Sequence, residues 1–147
     1  MQETRLYTLL TYAGALPFVA CALLPVFAID TVPLLGRPDV IAQVYGLAIT
    51  SFVAGSHWGT YLYKRDSCPI NLFVASNAIV LAVFFAFLIA DSALSIAVQM
   101  LAFTVLLLID RALHRAGLTT DTYSTMRLRV TLVVLVSLAV ILVQVSG

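Results

Sequence analysis

The chain contains five apolar stretches, and each is long enough to cross a lipid bilayer as a helix. A membrane helix needs about 20 apolar residues. The stretches cover residues 6–27, 40–63, 70–90, 93–113 and 128–145. The chain is 62% hydrophobic and only 10% charged, with a mean hydropathy of +1.06. A water-soluble fold of 147 residues cannot bury that much apolar surface. The sequence therefore predicts an all-α integral membrane protein, a compact bundle of five transmembrane helices in a single domain, 1–147.

Short connectors with helix-ending residues separate the stretches. The first connector contains Pro33, Gly36 and Pro38, which end one helix and favour extended backbone. The third connector is barely a turn, and Ser92 is the expected N-cap of the fourth helix. The fourth and longest connector, residues 111–127, places Gly117 where a C-cap glycine stabilises a helix end.

Positive charges in short loops favour the cytoplasmic side of a membrane. Seven of the eight Lys and Arg residues lie at the N-terminus or in the second and fourth connectors. These seven are Arg5, Lys64, Arg65, Arg111, Arg115, Arg127 and Arg129. We therefore predict a cytoplasmic N-terminus and a C-terminus outside. The first stretch also resembles a signal peptide, but Glu3 beside Arg5 and an apolar run that continues past Cys21 favour a retained helix.

Several function classes find no support in the residues. A net charge of +1 offers no basic surface for nucleic acid. Cys21 and Cys68 have no metal-binding or disulfide spacing, so no metal and no cofactor is expected. Catalytic motifs are absent from the sequence, and the topology puts Asp91 and Asp110 on opposite membrane faces, too far apart for acid–base work. We therefore expect a protein that is not an enzyme.

Three small residues recur every four positions in the second stretch: Ser51, Gly55 and Gly59. They lie near one helix face, where the lack of bulky side chains lets a neighbouring backbone approach. The first interpretation is helix packing within the bundle. The alternative is contact with a second copy or with a partner subunit.

His57 points away from that small-residue face. It belongs to a polar layer that the topology places in the cytoplasmic half of the membrane. The layer comprises Tyr12, His57, Asn77, Thr104 and Thr131. Unpartnered polar groups are costly in lipid, so these side chains should turn inward and bond one another. His57 is then either a neutral packing residue or part of a site for a ligand, a quinone or a proton.

Trp58 beside it either packs or stacks against a flat ligand. At the end of the fourth stretch, Asp110 is expected to pair with one of the arginines that open the last helix. The candidates for this ion pairing at the cytoplasmic surface are Arg111, Arg127 and Arg129. The alternative is a basic patch that docks lipid headgroups or an acidic loop of a partner.

Four motifs together resemble a known family. They are YGLAITSFVAGSHWG (45–59), YAGALPF (12–18), DRALHRAGL (110–118) and the segment 123–129. Their order and spacing are similar to those of the uncharacterised bacterial and mitochondrial membrane family that includes transmembrane protein 69. The resemblance implies a small multi-pass protein of a bacterial or mitochondrial inner membrane and carries no activity. Because no Arg-rich, acid-poor presequence is present, a bacterial inner membrane is favoured.

Three features favour a non-enzymatic accessory or assembly subunit of a larger membrane complex. They are the very short loops, the small-residue face and the lack of a recognisable catalytic motif in the sequence. Its partners would be the lipid bilayer and a membrane protein or a second copy of the chain. The alternative function is a binder or carrier of a small hydrophobic ligand, a quinone or a lipid, with Tyr12, His57, Trp58 and Asn77 at the site.

Overall fold

A computed structural model describes residues 2–147, with side chains from Leu6 onward, as six α-helices. Glu3 and Arg5, used above for topology and orientation, lie outside the described side chains. The helices are α1 (Gln2–Ala13), α2 (Leu16–Leu23), α3 (Pro38–Lys64), α4 (Leu72–Ile89), α5 (Ser92–Arg115) and α6 (Asp121–Ser146). Among residues 2–147 the only strand-like pairing is a single bridge between Val32 and Gly36.

The all-helical prediction is confirmed. Five helical segments are long and apolar enough to cross a membrane, as expected of a multi-pass membrane protein. The first, Leu6–Phe27, combines most of α1 with α2 and a 3₁₀ turn, Leu24–Phe27; α3 to α6 supply the others. The side of the membrane on which each terminus lies stays a prediction.

The first span is not one continuous helix, so the single helix predicted over 6–27 is wrong. It breaks at Gly14 and Ala15. Pro17 has no backbone N–H, and its ring clashes with the carbonyl four residues earlier, so an unbroken helix cannot pass through it. The Tyr45 hydroxyl donates a hydrogen bond of 3.0 Å to the Gly14 carbonyl and so satisfies a backbone group at the break.

Two predicted helix ends are also corrected. Asp91, not Ser92, caps α5: its carboxylate accepts a 2.8 Å hydrogen bond from the Leu94 N–H. The last helix begins at Asp121 rather than at 128, because the Thr120 hydroxyl accepts from the Tyr123 N–H and caps the polar first turns.

Gly117 ends α5 as predicted. It has a φ of +72°, and the Gly117 and Leu118 N–H groups bond back to the His114 and Leu113 carbonyls. These two bonds form a Schellman motif, which a glycine accommodates without steric cost. The connector between α5 and α6 is therefore short, and it holds the two helices as an antiparallel hairpin.

The helices meet around an aromatic centre. Helix α3 contacts α2, α4 and α5, while α6 packs against α5 and α2. Phe18 of α2 is fully buried, with its ring centroid 5.2 Å from that of Tyr45 and 5.7 Å from that of Phe103. The inward face of α3 continues past this centre toward Lys64, and along it lie the polar residues described next.

Candidate functional site

Three charged or ionisable side chains from three helices meet inside the bundle. His57 Nε2 lies 2.9 Å from Asp110 Oδ1, and Arg127 Nε lies 2.6 Å from Asp110 Oδ2. The three residues are only 2%, 2% and 8% exposed. Each oxygen of the Asp110 carboxylate thus has one partner. We call these three residues the ion trio.

The helix lengths place the ion trio at one depth. His57 lies seven residues before the end of α3, Asp110 five before the end of α5, and Arg127 six after the start of α6. At a rise of 1.5 Å per residue, all three lie about 7 to 11 Å from their helix ends. These ends carry Lys64 and Arg115, so the ion trio lies in the half of the bundle nearest the basic connectors.

Two nitrogen atoms of the ion trio have no hydrogen-bond partner although they are buried: His57 Nδ1 and Arg127 Nη2. A carboxylate only accepts hydrogen bonds, so the hydrogen between His57 and Asp110 sits on Nε2. In the neutral imidazole, Nδ1 is then a free acceptor, whereas Arg127 Nη2 is a free cationic donor. Buried polar groups without partners are uncommon and indicate a place for a ligand or water.

An apolar groove of about 350 Å³ adjoins Arg127. Side chains of α1, α3, α5 and α6 line it, among them Leu10, Ile49, Phe52, Val53, Phe103 and Val130. Of the described residues along the groove, Arg127 is the one that carries a charge. The volume falls within the range of small-molecule sites, about 300–1,000 Å³.

A second, more polar cleft of about 480 Å³ adjoins the other side of the ion trio. His57 and Asp110 border it together with hydroxyl-bearing residues of α1, α3, α6 and the α5–α6 connector. Thr119 Oγ1 is buried there without a partner. Tyr7 lines both the cleft and the groove, so α1 covers the two cavities from one side.

The predicted polar layer does not form as a bonded network. Asn77 is exposed, and its side chain donates a hydrogen bond to the Phe73 carbonyl of its own helix. The half-buried Thr104 hydroxyl likewise donates to the Met100 carbonyl of its own helix. Tyr12 is 37% exposed. Threonine and asparagine satisfy themselves locally when a carbonyl one turn back is within reach, which removes the need to turn inward. Thr131 is buried and lines the groove.

The predicted small-residue face looks outward. Ser51 and Gly55 are exposed, and a Cβ built at Gly55 or Gly59 would meet no atom within 4 Å. These residues therefore do not pack the helices of this chain together, which corrects the first interpretation. Contact with a second chain stays a prediction. Trp58 also lies at the surface, 43% exposed, and packs on the Phe73 ring.

The close approach predicted for Gly55 and Gly59 occurs at Gly46 instead. A Cβ there would overlap the Gln99 carboxamide, whose nitrogen donates a 2.9 Å hydrogen bond to the Gln43 carbonyl. Gln99 Oε1 and Thr50 Oγ1 are also buried without partners. Sequence reasoning missed Gln43, Gly46 and Gln99. The first two lie on the α3 face that Thr50 shares with His57, which was a usable signal.

Among the three candidate arginines, Arg127 is the one that Asp110 contacts. Arg129 is exposed on α6, and Arg111 is half-buried with its Nε unpartnered. The structure places Asp110 five residues inside α5 and buried, whereas the sequence prediction placed it at the membrane surface. Over the described residues, no group of three or more His, Cys, Asp or Glu side chains is arranged to hold a metal ion.

A comparison with protein-family models finds one match, to a family described as "Protein of unknown function (DUF3429)", over residues 4–143. No curated protein and no solved structure matches the chain. The family match extends over nearly the whole sequence, so it includes α2 to α5, most of α1 and α6, and the residues that line both cavities.

Proposed function

Because the chain belongs to the DUF3429 family, whose function is unknown, its role has to be inferred from its own residues, and we propose that it binds a small amphiphile. The apolar body of the ligand would occupy the groove, and its polar end would accept a hydrogen bond from Arg127. A lipid or a quinone has this chemistry. No chemical step is required, so the proposed role is binding or carriage rather than catalysis.

The observation that carries this proposal is the buried Arg127 Nη2, which has no partner. An arginine stays charged in proteins, and leaving one of its donors unsatisfied away from water costs free energy. A ligand that brings an acceptor to this nitrogen recovers that cost. The groove beside it is lined mostly by apolar side chains, which offer water few hydrogen bonds. This lining therefore favours a ligand with a hydrocarbon body.

The setting we propose is the bacterial inner membrane, with the N-terminus in the cytoplasm. The distribution of basic residues supports this orientation, since six of the seven Lys and Arg side chains that the structure describes cluster at one end of the bundle: Lys64, Arg65, Arg111, Arg115, Arg127 and Arg129. The ion trio and both cavities then lie in the cytoplasmic half of the membrane. Relationship to transmembrane protein 69 is part of this proposal.

The test is native mass spectrometry of the full chain released from membrane-derived nanodiscs. Thr11 is half-buried on α1 and lines the groove, so Thr11→Phe should fill it and remove the bound molecule. Ala13→Phe on the same helix is the matched control, since Ala13 is exposed and lies outside the groove. Loss of the ligand in both variants, or no ligand in the wild type, would contradict the proposal.

A second candidate function, an accessory subunit of a larger membrane complex, is favoured by the outward face of Ser51, Gly55 and Gly59. In lipid, such a face lets a helix of another protein approach closely. Gly55→Leu should abolish co-purification of a partner in mild detergent, whereas Ala78→Leu, on the exposed face of α4, should not. A lone monomer of the wild-type chain in mild detergent would count against this role.

A further inference from the structure

We propose that the groove takes an anionic amphiphile and that each anion binds together with one proton, which His57 accepts at Nδ1. This inference rests on the proposed ligand-binding function and adds the charge of the ligand and its coupling to protons. The ligand class is a single negative headgroup, a carboxylate or phosphate, on a hydrocarbon body.

The charges of the ion trio constrain what can bind beside Arg127. Asp110 already neutralises Arg127 through their 2.6 Å contact. An anion that approaches Arg127 Nη2 therefore adds one uncompensated negative charge to a buried site. Charges without compensation are very costly in a low-dielectric interior. One added proton restores the balance.

Arginine supplies the attraction for the anion. Arg127 lines the groove, and its buried Nη2 is a cationic donor without a partner. Charge-assisted hydrogen bonds from guanidinium to carboxylate or phosphate are stronger than those to a neutral carbonyl. The free donor thus favours an anion over a neutral headgroup.

His57 is the group placed to take the proton. Its Nε2–H is held by Asp110 at 2.9 Å, which leaves the Nδ1 lone pair free. A proton from water that binds Nδ1 turns the imidazole into an imidazolium and leaves the Nε2–H···Oδ1 hydrogen bond in place. That hydrogen bond then joins an imidazolium to a carboxylate, and such charge-assisted hydrogen bonds are stronger than neutral ones.

The two cavities give the anion and the proton separate approaches. The anion enters through the apolar groove, and the proton reaches His57 through the polar cleft that it borders. The other titratable or charged side chains around His57 are Tyr7 on α1, Asp110 on α5, and Tyr123 and Arg127 on α6. Among these types of side chain, the imidazole is the one that ordinarily changes charge between pH 5 and 8, so the proton is assigned to His57.

The experiment uses the full chain in phosphatidylcholine nanodiscs and a matched pair of probes: a pyrene-tagged alkyl sulfonate and the corresponding alcohol. The sulfonate stays ionised, so any proton taken up on binding goes to the protein. Pyrene fluorescence reports binding, and a pH indicator in weak buffer reports proton uptake. We expect about one proton per bound sulfonate, and an affinity that falls with rising pH by up to about tenfold per pH unit.

The control variant is His57→Gln, whose amide can still donate to Asp110 but cannot take a proton. It should bind the sulfonate without proton uptake and with an affinity independent of pH. Sulfonate binding to the wild type without proton uptake would overturn the inference and leave the proposed function standing. Binding of neither probe would overturn the proposed function itself.

Two sources could supply the anionic headgroup, a membrane phospholipid or a free fatty acid, and competition separates them. Phosphatidylglycerol added to the nanodiscs should displace the sulfonate if the occupant is a two-chain lipid. Displacement by oleate but not by phosphatidylglycerol assigns the groove to single-chain acids. Competition by decanol equal to that by decanoate would contradict recognition of an anion.

Discussion

His57 and Asp110 lie 53 positions apart in the chain, yet their Nε2 and Oδ1 atoms are 2.9 Å apart in the interior of the bundle. This contact joins α3 to α5, and Arg127 extends it to α6 through the other carboxylate oxygen. One carboxylate therefore ties three helices together and fixes which imidazole nitrogen carries the hydrogen.

Asp110→Asn should destabilise the bundle by about 3 kcal/mol or more, because it leaves the Arg127 charge buried without a counterion. Thermal unfolding in detergent, followed by the fluorescence of Trp58, measures the loss. Asp66→Asn, an exposed carboxylate in the second connector, is the control and should change little. Equal melting temperatures for the two variants would contradict a structural role for the ion trio.

Gly46→Ala should cost about 1–3 kcal/mol, since the new methyl group overlaps the Gln99 carboxamide. Gly55→Ala adds the same methyl group to the same helix in open space and should be neutral or slightly stabilising. The same unfolding assay compares the two. Combining Gly46→Ala with Gln99→Ala should recover part of the loss, and a purely additive effect would show that the overlap is not its cause.

Asp91→Ala should lower stability by about 1 kcal/mol, because the Leu94 N–H loses its acceptor at the start of α5. Ser92→Ala, one residue later, should have little effect. Comparing the two variants shows which residue caps α5, Asp91 as in the structure or Ser92 as predicted from the sequence. A larger loss for Ser92→Ala would restore the sequence prediction.

Cys68 provides a test of membrane orientation. Burial raises the pKa of its thiol above the usual value, so little reactive thiolate is present at pH 7 and labelling should accelerate as the pH rises toward 9. A membrane-impermeant maleimide should react from the cytoplasmic side only. Buried Cys21 should stay unlabelled until the protein unfolds, and Cys68→Ser should remove the signal. Labelling from the outer side alone would reverse the proposed topology.

The sequence was sufficient to predict five helical segments that are long and apolar enough to span a membrane, since length and hydropathy decide this property and tertiary detail does not. The break in the first segment was not predicted, although the sequence contains Pro17. The break depends on whether a partner satisfies the freed backbone groups, and that partner, Tyr45, comes from another helix. The start of α6 was missed because a polar first turn has the composition of a loop.

For the candidate site, the pairing of Asp110 with an arginine of the last helix followed from their positions at either side of the fourth connector. The contact of His57 with Asp110 did not, because it depends on how α3 and α5 are rotated against each other. The same rotation decides whether Ser51, Gly55 and Gly59 face inward or outward. A spacing of four residues identifies a helix face but does not say what covers it.

The hairpin of α5 and α6 bears on how the chain is made. Asp110 and Arg127 lie at the two sides of the turn, 17 positions apart, so they can meet as soon as both helices have emerged during synthesis. Each charge alone opposes transfer of its helix into lipid, but the two together enter as a neutral pair. Helix α3, which precedes them in the chain, contributes His57 to the ion trio, and an imidazole can be neutral. The order of the helices along the chain would therefore bring the members of the ion trio into the bilayer without an unbalanced charge.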